Sequence, residues 1–385
     1  ADAEAAPASP PAPILFAVSV DANDDGLPDL VTGGEPALYS NRGGALAPSD
    51  EWVFPALGFT PTDAVFGDCD NDGDLDLVIS GGERTALLRN EGGRFADAQA
   101  LPHAGERTVF ADTDHDGDLD ALVIGRRGNR LLVNDGTASF AEAADAGLAT
   151  DRSGRRALFS DFDNDRDVDF LLLGEPGVPN SGFELYLNNR DGTFSDMAVG
   201  TGLGQGGEVV DITAGDFRPD GYIDLLALGA DGALTLYANN GGRGFFPRPA
   251  GMAPGGRGGI VTADLDNDGD LDLLTYGADG VLPLSWSGEA FSASGAALLN
   301  GLPVTCVLAE DMDGDGVVDV WADGSLFRNR TDAGNWIRVN LNGLSSNPHG
   351  IGAKVEVMAS GRRQKREVRL SSRDPQVLTF VLGTA

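Results

Sequence analysis

Short apolar runs, each closed by aspartate, glycine or asparagine, recur along most of this chain. One stretch reads AVFGD, a polar loop, LDLVIS, the turn GGER, TALLRN and then EGGRF. The next repeats it as TVFAD, loop, LDALVIG, RRGN, RLLVN and DGTASF. A third has RALFSD, loop, VDFLLLG and a longer excursion before ELYLNN and RDGTF. Runs this short, rich in Val, Leu and Phe and bounded by turn residues, predict β-strands joined by hairpins. A helical period extends over no useful length. The pattern predicts antiparallel units of three or four strands, following one another along the chain.

The polar loop sets the period. It is an aspartate-rich phrase that begins at Asp21 (DANDDGLPD), Asp68 (DCDNDGDLD), Asp112 (DTDHDGDLD), Asp161 (DFDNDRDVD), Asp216 (DFRPDGYID), Asp264 (DLDNDGDLD) and Asp311 (DMDGDGVVD). Successive starts lie 47, 44, 49, 55, 48 and 47 residues apart. That spacing marks a repeat architecture, and it is far longer than the period of calcium-binding solenoids. Three or four antiparallel strands per unit match a propeller blade, and closing seven blades into a ring removes the exposed sheet edges of a linear array. The expected fold is therefore all-β, a seven-bladed β-propeller over residues 14–330 with a small C-terminal β domain over 331–385. Residues 1–13 form a flexible Ala/Pro-rich head. The last unit lacks a GRF-type fourth strand after SLFRNR, and either the segment near Pro13 or the C-terminal domain could lie there.

Each phrase also reads as a cation site written in oxygen ligands. Calcium takes six to eight oxygens, and a tightly turned loop supplies them from alternating positions. In the sixth copy, Asp264, Asp266 and Asp268 would turn side-chain oxygens inward, Asp270 would offer its carbonyl, and Asp272 a carboxylate able to bind through both oxygens. Gly269 permits the positive φ that the turn needs. Without a cation so many carboxylates would repel one another and some would take up protons. A helix–loop–helix calcium hand is excluded, because its twelfth position must be Glu. Here that position is Thr32, Ile79, Val123, Leu172, Ala227, Thr275 or Ala322.

The copies differ. The second, third and seventh match the sixth, with Asp68, Asp70, Asp72 and Asp76; Asp112, Asp114, Asp116 and Asp120; and Asp311, Asp313, Asp315 and Asp319. In the first, Asn23 joins Asp21, Asp25 and Asp29, a weaker set. The fourth keeps Asp161, Asp163, Asp165 and Asp169 but has Arg166 where glycine belongs, at a backbone cost of about 1 kcal/mol. The fifth has Arg218 at the third ligand position and Pro219 beside it. Arginine cannot ligate a metal, so its charge stands in for one. Five or six calcium ions are expected, with the fifth loop empty.

The formal charge of −33 is largely explained by these phrases, which hold 31 of the 60 acidic residues. A nucleic-acid partner is disfavoured, since phosphate binding needs a basic footprint. From Trp336 onward the sign reverses, with eight basic residues against three acids, which marks a domain boundary. No apolar run is long enough to span a membrane. The Ala/Pro-rich start without Met reads as the head of an exported protein, extracellular, on the cell surface or periplasmic, where millimolar calcium would fill such sites. Cys69 and Cys306 form no disulfide framework.

The Asp loops, with their flanking F-x-D and L-x-N-x-x-G-x-F signatures, resemble the FG-GAP/VCBS repeats of integrin α-like seven-bladed propellers over about residues 14–330. The tail from Trp336, above all SNPHGIGAKV (Ser346–Val355), resembles the ASPIC/UnbV domain. Together they are similar to the cartilage acidic protein family and its bacterial relatives. After Arg369 the usual Gly/Ser-rich stretch is shortened to LSSRDPQVLTFVLG. The resemblance implies an exported calcium-rich propeller and supplies no catalytic residues.

The residues offer little to catalysis. His103, His115 and His349 stand apart, with no nucleophile elbow, zinc spacing or phosphate loop around them. Trp52, Trp286, Trp321 and Trp336 do not recur in register as a cofactor propeller would need. The expected role is a binding module for an unknown protein or glycan, with the insertions Gly174–Phe183 and Thr201–Val210 as candidate recognition loops. A polysaccharide-active enzyme and a passive piece of an envelope assembly are the rivals. A basic stripe, Arg363, Lys365, Glu367 and Arg369, alternates with Gln364, Arg366, Val368 and Leu370 in the tail. It could dock on the acidic propeller or on an external anionic partner.

Overall fold

The structure is a computed structural model. It describes residues 14–383 apart from 24, 34–35, 83, 97, 149–151, 176–181, 198–199, 205–207, 256–257, 333, 342, 344–346, 348 and 370–377. Residues 1–13, most of the insertion at 174–183, part of that at 201–210, and Leu370 therefore lie outside the described residues. All elements described are strands, grouped as successive antiparallel sheets. Each of the first six blades has four strands in sequence order, and those of blades five and six join through one parallel bridge, Gly251 to Phe291. Among the described residues the seventh has three: Val307–Glu310, Asp319–Ala322 and Ser325–Phe327.

The ring closes through the first strand of each blade. Ala17–Val20, Asp63–Gly67, Arg107–Ala111, Gly154–Ser160, Val209–Gly215, Gly259–Ala263 and Val307–Glu310 touch in that order, and the last touches the first. First and second strands are buried on both faces, because each blade is flanked by two others. Their runs are therefore continuously apolar rather than alternating, as in Asp76–Gly81 with every residue buried. The second strand opens at the ninth residue of the Asp phrase in all seven blades: Asp29, Asp76, Asp120, Asp169, Asp224, Asp272 and Asp319. The loop is thus the hairpin connection itself.

Four C-terminal strands follow: Asn335–Val339 pairs with Leu378–Gly383, and Lys354–Ala359 with Arg362–Glu367. Buried Ile351 and Val368 beside these strands, and Leu378 and Phe380 within them, belong to one apolar cluster with Cys69, Phe110, Leu119 and Ala138 of the second and third blades. The C-terminal strands therefore lie against the face that carries the Asp loops. Cys69 and Cys306 are not joined to each other by a disulfide.

Candidate metal centres

Each loop is first a folding device. In six of the seven loops, the third apart, the carboxylate at the first position accepts the amides of the fifth and sixth, as when Asp68 accepts from Asp72 at 3.2 Å and Gly73 at 3.1 Å. The same pair recurs at Asp21, Asp161, Asp216, Asp264 and Asp311. The ninth carboxylate ties the loop to its sheet: Asp272 accepts from Leu265 at 3.0 Å and from Trp286 at 2.9 Å. Both of its oxygens are therefore already engaged, and what each keeps for a cation is a spare lone pair.

The sixth position has a left-handed backbone throughout, at φ 83, 96, 97, 83, 88, 94 and 86° in chain order. Arg166 adopts it at 83° without the freedom of glycine. Among the described residues the fourth position does the same in five loops, at Asn71, His115, Asn164, Asn267 and Gly314. That second constraint was missed in the sequence, although Asn is the non-glycine residue most at ease there.

Among the described residues, five loops bring three carboxylates together, their oxygens within 4.8 Å of one another: Asp68/Asp70/Asp72, Asp112/Asp114/Asp116, Asp161/Asp163/Asp169, Asp264/Asp266/Asp272 and Asp311/Asp313/Asp315. Of the remaining candidate ligands, Asp76, Asp120, Asp165, Asp268 and Asp319 stand beside these triads, and Asp21, Asn23, Asp25 and Asp29 form the first loop. Four carboxylate oxygens in such loops are buried without a hydrogen-bond partner: Oδ1 of Asp70, Asp112 and Asp313, and Oδ2 of Asp319. An orphaned buried carboxylate oxygen is costly, and hard oxygen donors in this number suit a divalent ion such as calcium. The donor set fits the ion.

The electrostatics agree. Burial, reinforced by neighbouring aspartates, raises Asp76, Asp120, Asp272 and Asp319 to about 7 and Asp169 to about 8. In the fifth loop the guanidinium of Arg218 fills the position instead. Its Nη2 donates to Asp224 Oδ1 at 2.8 Å and to the Asn239 carbonyl at 2.7 Å, its Nε to Asp224 Oδ2 at 3.2 Å, and its Nη1 lies 3.2 Å from Asp220. In the seventh loop Arg328 bonds Asp313 and Arg338 bonds Asp311 Oδ2 at 2.7 Å. Both bond oxygens other than the orphaned pair, and Arg328 Nη1 also lies 3.9 Å from Asp319 Oδ2 as an ion pair.

Neighbouring loops are joined twice. The fourth residue reaches the next loop: Asn71 donates to Asp118 at 2.7 Å, and His115 Nε2 lies 2.7 Å from Asp167. Asn164 and Asn267 reach the Gly221 and Gly316 carbonyls, each at 3.4 Å. In every blade but the second, a residue at or just past the end of the third strand reaches back to the second residue of the preceding blade's loop. Asn134 donates to the Cys69 carbonyl at 2.8 Å, Asn188 to Thr113 at 2.8 Å, Asn239 to Phe162 at 2.7 Å and Asn329 to Leu265 at 2.7 Å. Asn41 closes the ring on Met312 at 2.7 Å. In the sixth blade Trp286 stands in this register, and its indole N–H bonds Phe217 at 2.9 Å.

The basic tail lies on the same face. Lys354 donates to the Asp161 carbonyl at 2.7 Å and lies 3.1 Å from its carboxylate, and Lys365 donates to the Gly221 carbonyl. Arg369 donates to Ala214 at 2.9 Å on the inner strand of blade five, beside its partner Glu367 at 2.7 Å. Gln364 and Lys365, expected on opposite faces, are both buried. The stripe is enclosed between its hairpin and the loops. A cavity of about 150 Å³ remains between tail and ring, lined among others by Ser19, Thr262, Glu310, Arg338, Arg366 and Thr379.

A closed ring of antiparallel blades, each opening on an aspartate loop, defines a repeat β-propeller. The FG-GAP-like repeat family matches it at residues 21–79, 68–123, 112–172, 161–227 and 217–275, and the chain belongs to that family. Comparison with curated proteins finds no match. Among solved structures, an Agrocybe aegerita lectin that recognises non-reducing terminal N-acetylglucosamine is similar, with TM-score 0.59 and 20% identity, over 83% of this chain and 92% of that one. BBS1N in complex with ARL6DN gives 0.57 and 13% over 85% and 96%. The extracellular domain of the putative one-component system BT4673 from B. thetaiotaomicron gives 0.54 and 11% over 88% and 41%. At these identities the likeness is one of fold.

Proposed function

We propose that this chain is an exported, calcium-loaded propeller that binds another macromolecule, a protein or a glycan, and that calcium holds its shape. The observation behind this reading is the set of five carboxylate triads among the described residues, three of whose loops together hold four buried, partnerless carboxylate oxygens. The ligands would come from Asp68, Asp70 and Asp72, from Asp112, Asp114 and Asp116, from Asp161, Asp163 and Asp169, from Asp264, Asp266 and Asp272, and from Asp311, Asp313 and Asp315. Bound calcium supplies the positive charge that lets these carboxylates stay ionised together. Sites of this kind fill where calcium is millimolar, which supports export. The tail from Trp336 is read as an ASPIC/UnbV-like domain on its SNPHGIGAKV segment.

A binding role is favoured over catalysis because the carboxylates are engaged in loop hydrogen bonds and the histidines do not converge. His115 is bonded to Asp167 and His103 lies 3.4 Å from the Gly128 carbonyl. Chains of similar fold include a lectin that recognises non-reducing terminal N-acetylglucosamine and BBS1N in complex with ARL6DN, so both classes stay in the proposal. Metal counting on dialysed protein, followed by a glycan array and capture from the native cell fraction in calcium and in EGTA, tests it. Calcium-dependent retention of one partner is the expected result. Metal-free protein with unchanged stability, or turnover of a polysaccharide, would overturn it.

A further inference from the structure

The tail meets the loops mainly at backbone oxygens. Arg362 donates to the Asp268 carbonyl, Arg366 to Gly269 at 3.5 Å, Arg363 to Asp220 at 3.5 Å and Lys365 to Gly221. Arg338 donates to the Gly26 carbonyl and Lys354 to that of Asp161. Five of these six acceptors are the fifth or sixth residue of an Asp loop. Such carbonyls turn outward together only while the loop is closed, with the first carboxylate holding the fifth and sixth amides and the sixth residue at positive φ, as at Gly26, Gly221 and Gly269. The sixth glycine is buried in the fifth, sixth and seventh loops (Gly221, Gly269 and Gly316) but exposed in the second (Gly73), which maps the covered sector. Trp336 lies directly over Gly316, where an added Cβ would come within 2.4 Å of its ring.

We propose that the closed backbone of the cation loops is a recognition surface for guanidinium and ammonium groups, that its occupant is the C-terminal unit of this same chain, and that calcium presents this surface rather than competing for it. The proposal rests on the calcium reading above. Charge alone argues the opposite sign. Residues 1–335 carry 19 basic and 57 acidic residues, so filling the loops with calcium would weaken a merely Coulombic attraction to the tail. The carbonyl acceptors decide between the two. A neutral acceptor keeps its bond when the loop charge is cancelled, and loses it when repelling carboxylates open the turn.

The test uses the full chain with one loop emptied at a time. Asp266→Ala removes a third-position ligand beneath the hairpin, and Asp70→Ala removes its equivalent in the second loop, outside the covered sector. Neither side chain is bonded to the tail, and the pull of Arg362 on Asp266 is screened by reading the exchange in high salt. Metal content and amide hydrogen exchange of residues 354–369 are measured for both variants and for wild type with and without EGTA. Each variant should lose one ion, but only Asp266→Ala should raise exchange in 354–369, by about tenfold or more. The second strands of blades two and three should stay protected. Equal or greater protection of the tail in Asp266→Ala, with the ion gone, overturns the proposal. Wild type that binds no ion overturns it together with the reading beneath it, and tail exchange would then respond to salt alone.

Discussion

Single side chains decide which loops keep a donor set fit for a metal. Arg218 satisfies Asp224 through two bonds, so Asp220→Ala should change calcium-dependent melting little, while Asp268→Ala in an intact loop should lower it clearly. Anomalous scattering or metal counting should find five or six ions, and density for a cation between Asp216 and Asp224 would refute the substitution. Arg166 holds a left-handed backbone that favours glycine. Arg166→Gly should therefore raise the unfolding free energy in calcium by up to about 1 kcal/mol, read from urea melts. The buried aspartates set a pH response in stripped protein. Asp76, Asp120, Asp272 and Asp319 are raised to about 7 when folded, against the ordinary value below 4 when unfolded. Between those limits the folded chain binds more protons, so metal-free stability should fall as pH rises from about 4 to about 7. Calcium should flatten that slope, and thermal melts across pH in each state would show it.

At the scale of the element, much was legible and one relation was not. The alternation of apolar run and turn gave strand order, and the Asp phrase gave the hairpin and the triads, because both are local in sequence. The L-x-N asparagine was visible as a signature, yet its partner was not. Asn134 bonds a carbonyl 65 residues earlier, and no pattern within one repeat records that neighbour. Trp286 hides the register further, since an indole shares with asparagine only an N–H at the right reach. Trp286→Phe should strand the buried Phe217 carbonyl and cost about 1–3 kcal/mol, measured by chemical denaturation. The positions of Arg328 and Arg338 in the seventh loop were likewise unreadable, because they arrive from the third strand and from the tail.

For the whole molecule, calcium should act on stability as a set. One site at a free ion concentration of 100 times its dissociation constant adds about 2.7 kcal/mol, and several together rival the stability of a domain. Thermal melts in calcium and in EGTA should differ by well over about ten degrees, and superimposable melts would sink the idea. The sign change at Trp336 marked the tail as a separate unit. The charged stripe offered the acidic propeller as a docking partner, but no sequence pattern named the backbone carbonyls that accept its bonds.

The back-reaching staple also fixes where the ring is different. Asn90, in the register that bonds the preceding loop elsewhere, donates instead to Leu75 of its own loop at 3.1 Å. Among the described residues the junction of blades one and two has no such bond. It is filled by rings: Trp52 meets Phe66 and Phe95 at 5.6 and 5.2 Å, and Phe54 stacks on Phe95 at 4.6 Å, within an apolar cluster that both blades share. Apolar cohesion weakens on cooling. The ring thus has one joint with a thermal behaviour of its own. In the cold, exchange of Asp63–Gly67 should accelerate relative to the other inner strands, making this the place where a chilled ring first comes ajar.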